Sequence, residues 1–305
     1  MACYLNRNLR YENSDNRFLQ YMVIRSRFYL QKIIRKNSEF IRSSGLKKIK
    51  LAHAGNLELQ LNDYIDMWLY TGADFEPHTV SLFRKILKTG DNVLDIGANI
   101  GYLSLIASNI VGSSGKIYAF EPTPETIIKF KKNLALNNCS NIILYQTAVS
   151  ETNGTAVFRI PSDEVKNSGR ASLRDIEENN FEIKVETTRL DSMLEDLPTI
   201  QLVKMDIEGA EAMALKGMEQ LINRDRPLFI MELSGFYLQQ LSSSSNFVIE
   251  FFKKKHYRIL VTGDIIYEIN NVKGLKNAQY DILCIPGEKY DVIRTQLNKT
   301  GIQIS

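Results

Sequence analysis

The sequence predicts an α/β protein: a Rossmann-like, doubly wound and mostly parallel sheet with an antiparallel edge, plus a helical N-terminal extension. Three observations carry this. From Asn92 onward short apolar runs alternate with segments of helical period, the pattern of parallel strands joined by right-handed crossovers. A glycine turn, Gly97-Ala98-Asn99-Ile100-Gly101, stands between the first such run and the helix after it. Two strand-like runs close the pattern, Tyr257–Thr262 and Tyr280–Ile285, and such a late pair suits an antiparallel edge.

Taken in order, Arg17–Arg35 reads as a helix, with Phe18, Tyr21, Ile24 and Phe28 at three-to-four spacing. A polar stretch, Lys36–Lys50, marks a soft boundary. Residues 57–70 predict a strand and a short helix, and Thr79–Leu87 a further helix ending at the turn Thr89-Gly90-Asp91. Val93–Ile96 is then a strand, Tyr102–Ile110 a helix, Ile117–Phe120 a strand, Thr123–Leu136 a helix and Ile142–Val149 a third strand. The rhythm breaks between residues 151 and 196, where strands Thr155–Ile160 and Phe181–Thr188 flank a polar loop, Pro161–Asn180. Alternation resumes with strand Ile200–Met205, helix Ala210–Ile222, strand Leu228–Leu233 and helix Phe247–Lys255. Residues 1–75 are thus expected to be a basic, helical extension, and residues 76–305 one Rossmann-like domain with an insertion at about 151–196.

Composition excludes several classes. The chain of 305 residues is 44% hydrophobic and 24% charged, ordinary for a globular protein. No apolar run approaches the ~18 residues that a membrane-spanning helix needs, and the first sixteen residues are too polar for a secretory signal. Cys3, Cys139 and Cys284 are scattered, without a C-x-x-C pair, so a reducing, cytoplasmic setting is expected. The net charge of +3 hides an asymmetry: residues 1–50 hold twelve Lys/Arg against three Asp/Glu, a local +9 that leaves −6 for the rest. A basic arm suits an anionic surface or chain, or simply a solvated helical face.

The chemistry is sought at the first strand-to-helix turn, where doubly wound sheets bind ligands. Gly97 permits the sharp turn and Gly101 a close approach; Asn99 tolerates left-handed backbone, and Ala98 lies between them. The spacing G-x-x-x-G lacks the G-x-G-x-x-G that admits a pyrophosphate. A ligand without phosphate but with cationic groups, S-adenosylmethionine, suits it better. Asp95, ending the first strand, is expected to face the cationic amino group directly or through water. Glu121, followed by Pro122 at the end of the second strand, is expected to accept hydrogen bonds from two ribose hydroxyls. Each residue also has a structural reading: turn glycines, a helix cap at Asp95, an ordinary helix entry at Glu121-Pro122.

On the far side, Asp206 ends the fourth strand and Glu232 the fifth, with Ile207-Glu208-Gly209-Ala210-Glu211 turning into a helix between them. Asp206, Glu208 and Glu232 are the candidate catalytic carboxylates: proton acceptors, acceptor anchors or oxygen ligands to a divalent metal. The spacing does not require a metal. Glu208 and Glu211 have the competing reading of acids in a helix's first turn. Asp206 is expected at the cofactor as well, and Lys204 is expected to pair with a carboxylate. Upstream, Glu76 is a candidate to cover the cofactor, with His78 beside it; His53 and His256 read as incidental.

Several segments together resemble the FkbM family of methyltransferases: Val93–Gly101 (V-L-D-I-G-A-N-I-G), Tyr118–Pro122, Asn133–Asn138, Thr147–Ser150, Val203–Glu211 (V-K-M-D-I-E-G-A-E) and Pro227–Glu232. Their order covers roughly residues 75–235. The resemblance implies a class I methyltransferase fold, S-adenosylmethionine as donor with S-adenosylhomocysteine as product, and methylation of a hydroxyl on a sugar or natural product. It also implies that Ala148, after the third strand, lies near the adenine. N-methylation of amides in a peptide substrate is the alternative, for which loop Pro161–Asn180 and the basic arm would hold an extended chain. A nucleic-acid partner is not expected, since no aromatic-plus-basic pattern or N-P-P-Y-like motif is present. Homo-oligomerisation is left open.

Overall fold

A computed structural model describes residues 45–61, 63–70, 75–161, 180–263, 266–269 and 279–299. The helix read over residues 17–35, most of the basic arm and residues 162–179 of the polar loop lie outside these.

The described part opens with a hairpin, β1 (Leu46–Leu51) and β2 (Gly55–Gln60), paired from Leu46↔Gln60 to Leu51↔Gly55. β1 falls at the end of the stretch read as polar. Its L-K-K-I-K-L alternation makes it a strand, with the lysine-bearing edge toward water and Leu51 buried. The helices α1 (Tyr64–Tyr70) and α2 (Pro77–Ile86) follow, α2 with proline in its first turn and Val80, Phe83 and Ile86 buried. Next come β3 (Asn92–Ile96), α3 (Tyr102–Val111), β4 (Lys116–Phe120), α4 (Pro124–Asn137) and β5 (Ile142–Tyr145).

The third strand is shorter than the sequence predicts. β5 pairs with β4 only as far as Phe120↔Tyr145, where β4 ends. The chain then leaves the main sheet, and β6 (Ala148–Val149) joins β7 (Gly154–Pro161) and β8 (Asn180–Thr188) in a separate sheet of order β6-β8-β7. A hydrogen bond between the Thr147 and Thr188 hydroxyls, 2.9 Å, marks the departure.

β9 (Leu202–Met205) leads into α5 (Glu211–Lys216) and α6 (Glu219–Asp225), two helices where one was expected. The break lies at Gly217, packed so tightly on the Ser150 carbonyl that a Cβ would stand 1.9 Å from its oxygen. β10 (Leu228–Ser234) runs straight into α7 (Gly235–Gln240), an unforeseen helix capped by Ser234, whose hydroxyl accepts from the Tyr237 N–H. Then follow α8 (Ser245–Lys254), β11 (Tyr257–Thr262), β12 (Tyr267–Glu268) and β13 (Gln279–Pro286). The strand pair does not end the pattern: α9 (Tyr290–Lys299) continues, burying Tyr290, Ile293 and Leu297.

The eight-stranded sheet has the order β12-β11-β13-β10-β9-β3-β4-β5. β10, β9, β3, β4 and β5 run parallel; β13, β11 and β12 form the antiparallel edge. One face is covered by the hairpin and α1 to α4 with α9, the other by α5 to α8. The chain leaves β3 toward β4 and later returns on the other side at β9. The switch point, and with it the binding crevice, therefore lies where β3 and β9 end.

Candidate active site at the switch point

Alternation along the strands builds the site. On the face packed by α2 and α3, β3 presents Val93 then Asp95, β9 presents Leu202 then Lys204, and β10 presents Ile230 then Glu232. Register sets Asp95 beside Lys204 and, across the antiparallel edge, Glu232 beside Asp281. Apolar rows thus give way to a polar layer at the carboxyl ends of the parallel strands.

The loop after β3 closes over this layer. Gly97 has φ 79°, and a Cβ there would sit 1.9 Å from the Asp206 carbonyl oxygen, so only glycine allows the two loops at the switch point to touch. The Gly97 and Ala98 N–H groups both donate to the Phe120 carbonyl at 3.0 Å. Asn99 takes left-handed backbone, φ 50°, as its residue type predicts. Its N–H donates to one Glu121 oxygen at 3.1 Å, and the Thr123 N–H donates to the other at 2.9 Å. Burial pushes the Glu121 carboxyl up, and these hydrogen bonds oppose it.

One cavity brings most of the candidates together. Glu76, Gly97, Ala98, Asn99, Glu121, Pro122, Ala148, Asp206, Glu208 and Glu232 all line it. Asp95 and Gly101 do not. Asp95 is 1% exposed and lies beneath the loop, where one oxygen accepts from the Ser104 hydroxyl at 2.5 Å. The first turn of α3 thus takes one oxygen of this carboxylate, Lys204 is its neighbour across the sheet, and its other oxygen is buried with no hydrogen-bond partner among the described residues. Gly101 makes room for a side chain rather than a ligand, since a Cβ would stand 2.1 Å from the Phe130 ring.

The acids are tuned by burial. The Glu232 carboxyl is pushed up to about 8, by desolvation first and then by Asp206, with a hydrogen bond from Gln279 opposing. Glu76 is pushed up to about 7 by desolvation, against the attraction of Lys204. Glu76 and Glu208 both hold left-handed backbone, φ 51° and 54°, a geometry that non-glycine residues adopt at a cost and that clusters at functional sites. Glu211, by contrast, is buried at the start of α5, where one oxygen accepts from the Gly209 N–H at 3.0 Å; it caps that turn and does not line the cavity.

A model of the methyltransferase FkbM domain matches residues 95–259, more than half of the chain. The chain belongs to the FkbM methyltransferase domain family. Among curated relatives, Methyltransferase 1 of Beauveria bassiana is 26% identical over 145 residues, which is 42% of this chain and 58% of the relative. The hexuronic acid methyltransferase AglP of Haloferax volcanii is 26% identical over 155 residues, 50% of this chain and 60% of the relative. A solved FkbM methyltransferase from Methylobacillus flagellatus KT is 16% identical with a TM-score of 0.42, over 71% of this chain and 52% of that one. The chain therefore spans roughly half to three fifths of the length of these proteins.

The FkbM domain's lining suits a cationic donor. Five carboxylates line the cavity (Glu76, Glu121, Asp206, Glu208 and Glu232) against one ammonium, Lys204, a balance that favours a ligand carrying positive charge. Its loop is short of the glycines that admit a pyrophosphate. Among the described residues no group of three or more His, Cys, Asp or Glu is arranged to hold a metal ion, and no helix is long and apolar enough to cross a membrane.

Sequence reasoning passed over other lining groups of the FkbM domain. Tyr237 comes from α7 and Phe158 from the small sheet, both set by contacts distant in sequence. Asp281 lies on an antiparallel strand entering from the opposite direction, so its place beside Glu232 follows only from register. The His78 charge tempers the upward push that burial gives Asp281.

Proposed function

We propose that the protein is an S-adenosylmethionine-dependent methyltransferase acting on a hydroxyl of a sugar or natural-product acceptor. The observation that carries it is the cavity at the switch point, lined by Glu121 and the Gly97 loop and by Asp206, Glu208 and Glu232. The first group supplies a cofactor side, the second an acceptor side. A relative named as a hexuronic acid methyltransferase supports a polyhydroxylated acceptor.

When bound, the donor supplies a methyl carbon on a sulfonium, open to in-line displacement. The chain's own work is positioning and proton management. Glu121, its orientation locked by two backbone N–H groups, holds the ribose hydroxyls. Glu76 and Asp206 would hold the cationic amino group, and Ala148 would border the adenine. Glu208 and Asp206 orient the acceptor. Glu232 would accept the proton that the acceptor hydroxyl gives up on methylation. A carboxyl raised to about 8 is a well-matched base near neutral pH.

Glu232→Gln tests this directly. Turnover on the true acceptor is expected to fall by about 10²–10⁴-fold with cofactor affinity retained; full turnover would remove Glu232 from the chemistry. A panel of uronic acids, neutral sugars and amide-bearing peptides, with the methylated atom located by mass spectrometry and NMR, separates O- from N-methylation.

A further inference from the structure

Among the described residues, Lys204 is the one Lys or Arg that is buried. It lies on β9 in the centre of the sheet, its side chain is 5% exposed, and it points into a ring of acids. Its ammonium lies 3.8 Å from a Glu76 oxygen and 3.8 Å from an Asp206 oxygen, and donates to the Gly97 carbonyl at 3.4 Å. These three partners come from three separate segments: the turn entering α2, the loop after β3, and the end of β9.

We propose that Lys204 is the positioning residue of this site: its buried ammonium ties Glu76, the Gly97 loop and Asp206 into one network and holds both carboxylates toward the cavity. This rests on the methyltransferase reading of the cavity. Glu76 gives the clearest reason to want such an anchor. It holds left-handed backbone at the N-terminus of α2, where its side chain does not cap the helix backbone and bonds within α2 to the Thr79 side chain. The ion pair to Lys204 supplies an outside hold. It draws Glu76 over the same loop that Gly97 turns, so cofactor side and acceptor side are spaced by one side chain.

The electrostatics agree. The pull of Glu76, Asp206, Asp95 and Glu232, in that order, outweighs the burial that would otherwise discharge the ammonium. In return it draws down Glu76, Asp95, Glu121 and Asp281, each of which burial pushes up. The other charged groups around the cavity are Glu208, from the loop before α5, and His78, from α2. Without Lys204 these acids would have no buried cation beside them among the described residues, and burial would push Glu76, Asp95, Glu121 and Asp281 further up.

The test uses the full chain with Lys204→Met, Lys204→Arg and Glu76→Gln. Calorimetric titration with S-adenosylmethionine is run between about pH 6.5 and 9, beside ligand-free melting over the same range. Lys204→Met is expected to bind about 10-fold or more weakly near pH 7 and to recover as pH rises, since raised carboxyls then ionise. Lys204→Arg keeps the wild-type pH response, because the charge remains. In ligand-free protein the melting temperature of Lys204→Met falls more steeply with pH than that of wild type. A Lys204→Met protein with the wild-type pH response in both measurements, or a loss of affinity that is uniform across pH, overturns the role given to Lys204. If Lys204→Met does not fold, Lys204→Gln is measured in its place with the same outcomes, and a Glu76→Gln protein with unchanged affinity overturns the network. Wild-type protein that binds no S-adenosylmethionine at any pH instead sinks the methyltransferase reading, while the melting comparison still judges Lys204.

Discussion

Glu76, Glu211 and Glu232 carry carboxyls that burial raises to about 7, 7 and 8, and Asp66 one raised to about 6. All four folded-state values lie above the ordinary carboxyl values, so these groups bind more protons folded than unfolded. Their contribution to stability is full below about pH 4 and is lost as pH rises through 6 to 8. Glu288, lowered to about 2 by Arg226, has the opposite sign but acts only below its ordinary value. The ligand-free melting temperature is therefore expected to decline between about pH 5 and 8.5, and scanning calorimetry that found it constant or rising would contradict these assignments. Gly97 offers a second test at this scale. Gly97→Ala places a methyl against the Asp206 carbonyl at positive φ, with an expected loss of about 1–3 kcal/mol and of cofactor binding. An alanine variant with wild-type melting and affinity would show that the two loops do not need their close contact.

The hairpin is bound to the cofactor loop through α4. Asn133, fully buried, accepts from the Glu58 N–H at 2.8 Å and donates to the Ile100 carbonyl at 3.0 Å, and Asn137 exchanges hydrogen bonds with both backbone groups of Asn56. Asn133→Leu strands two buried backbone groups and is expected to cost about 1–3 kcal/mol, measured by urea unfolding; no change would mean that the hairpin is held by its apolar side alone. The elements from β3 to α4 were legible in sequence because a long apolar period and a turn signal mark each one. Others were not, for identifiable reasons. α7 is six residues long and begins with glycine, a poor helix former, too short to show a period. The break between α5 and α6 depends on Ser150, which nothing local announces. α9 did carry a readable period in Tyr290, Ile293 and Leu297, and the strand pair before it was mistaken for the close of the pattern.

Across the whole molecule, the site exists because strand order reverses between β3 and β9. The reversal sends the chain to opposite sides beyond the touching Gly97 and Asp206 loops and leaves a crevice that acids from four segments share. Much of that was visible beforehand: Asp206 and Glu232 stand where otherwise apolar strands end, and Glu121 ends the neighbouring strand. Asp95 was visible for the same reason, but a sequence does not show that it lies buried beneath the loop, with Ser104 on one of its oxygens. Phe158 and Tyr237 reach the cavity, and Asp281 comes beside Glu232, through register and packing that one-dimensional spacing does not encode. The account's central claim is that this crevice binds a sulfonium donor with Glu121 as its anchor. Isothermal titration of the full chain with S-adenosylmethionine, with NAD in parallel and Glu121→Ala as the paired variant, tests it most directly. Saturable binding of S-adenosylmethionine, no heat from NAD, and an affinity at least about tenfold weaker in Glu121→Ala are the expected results; tight NAD binding, or equal affinity in wild type and variant, would contradict it.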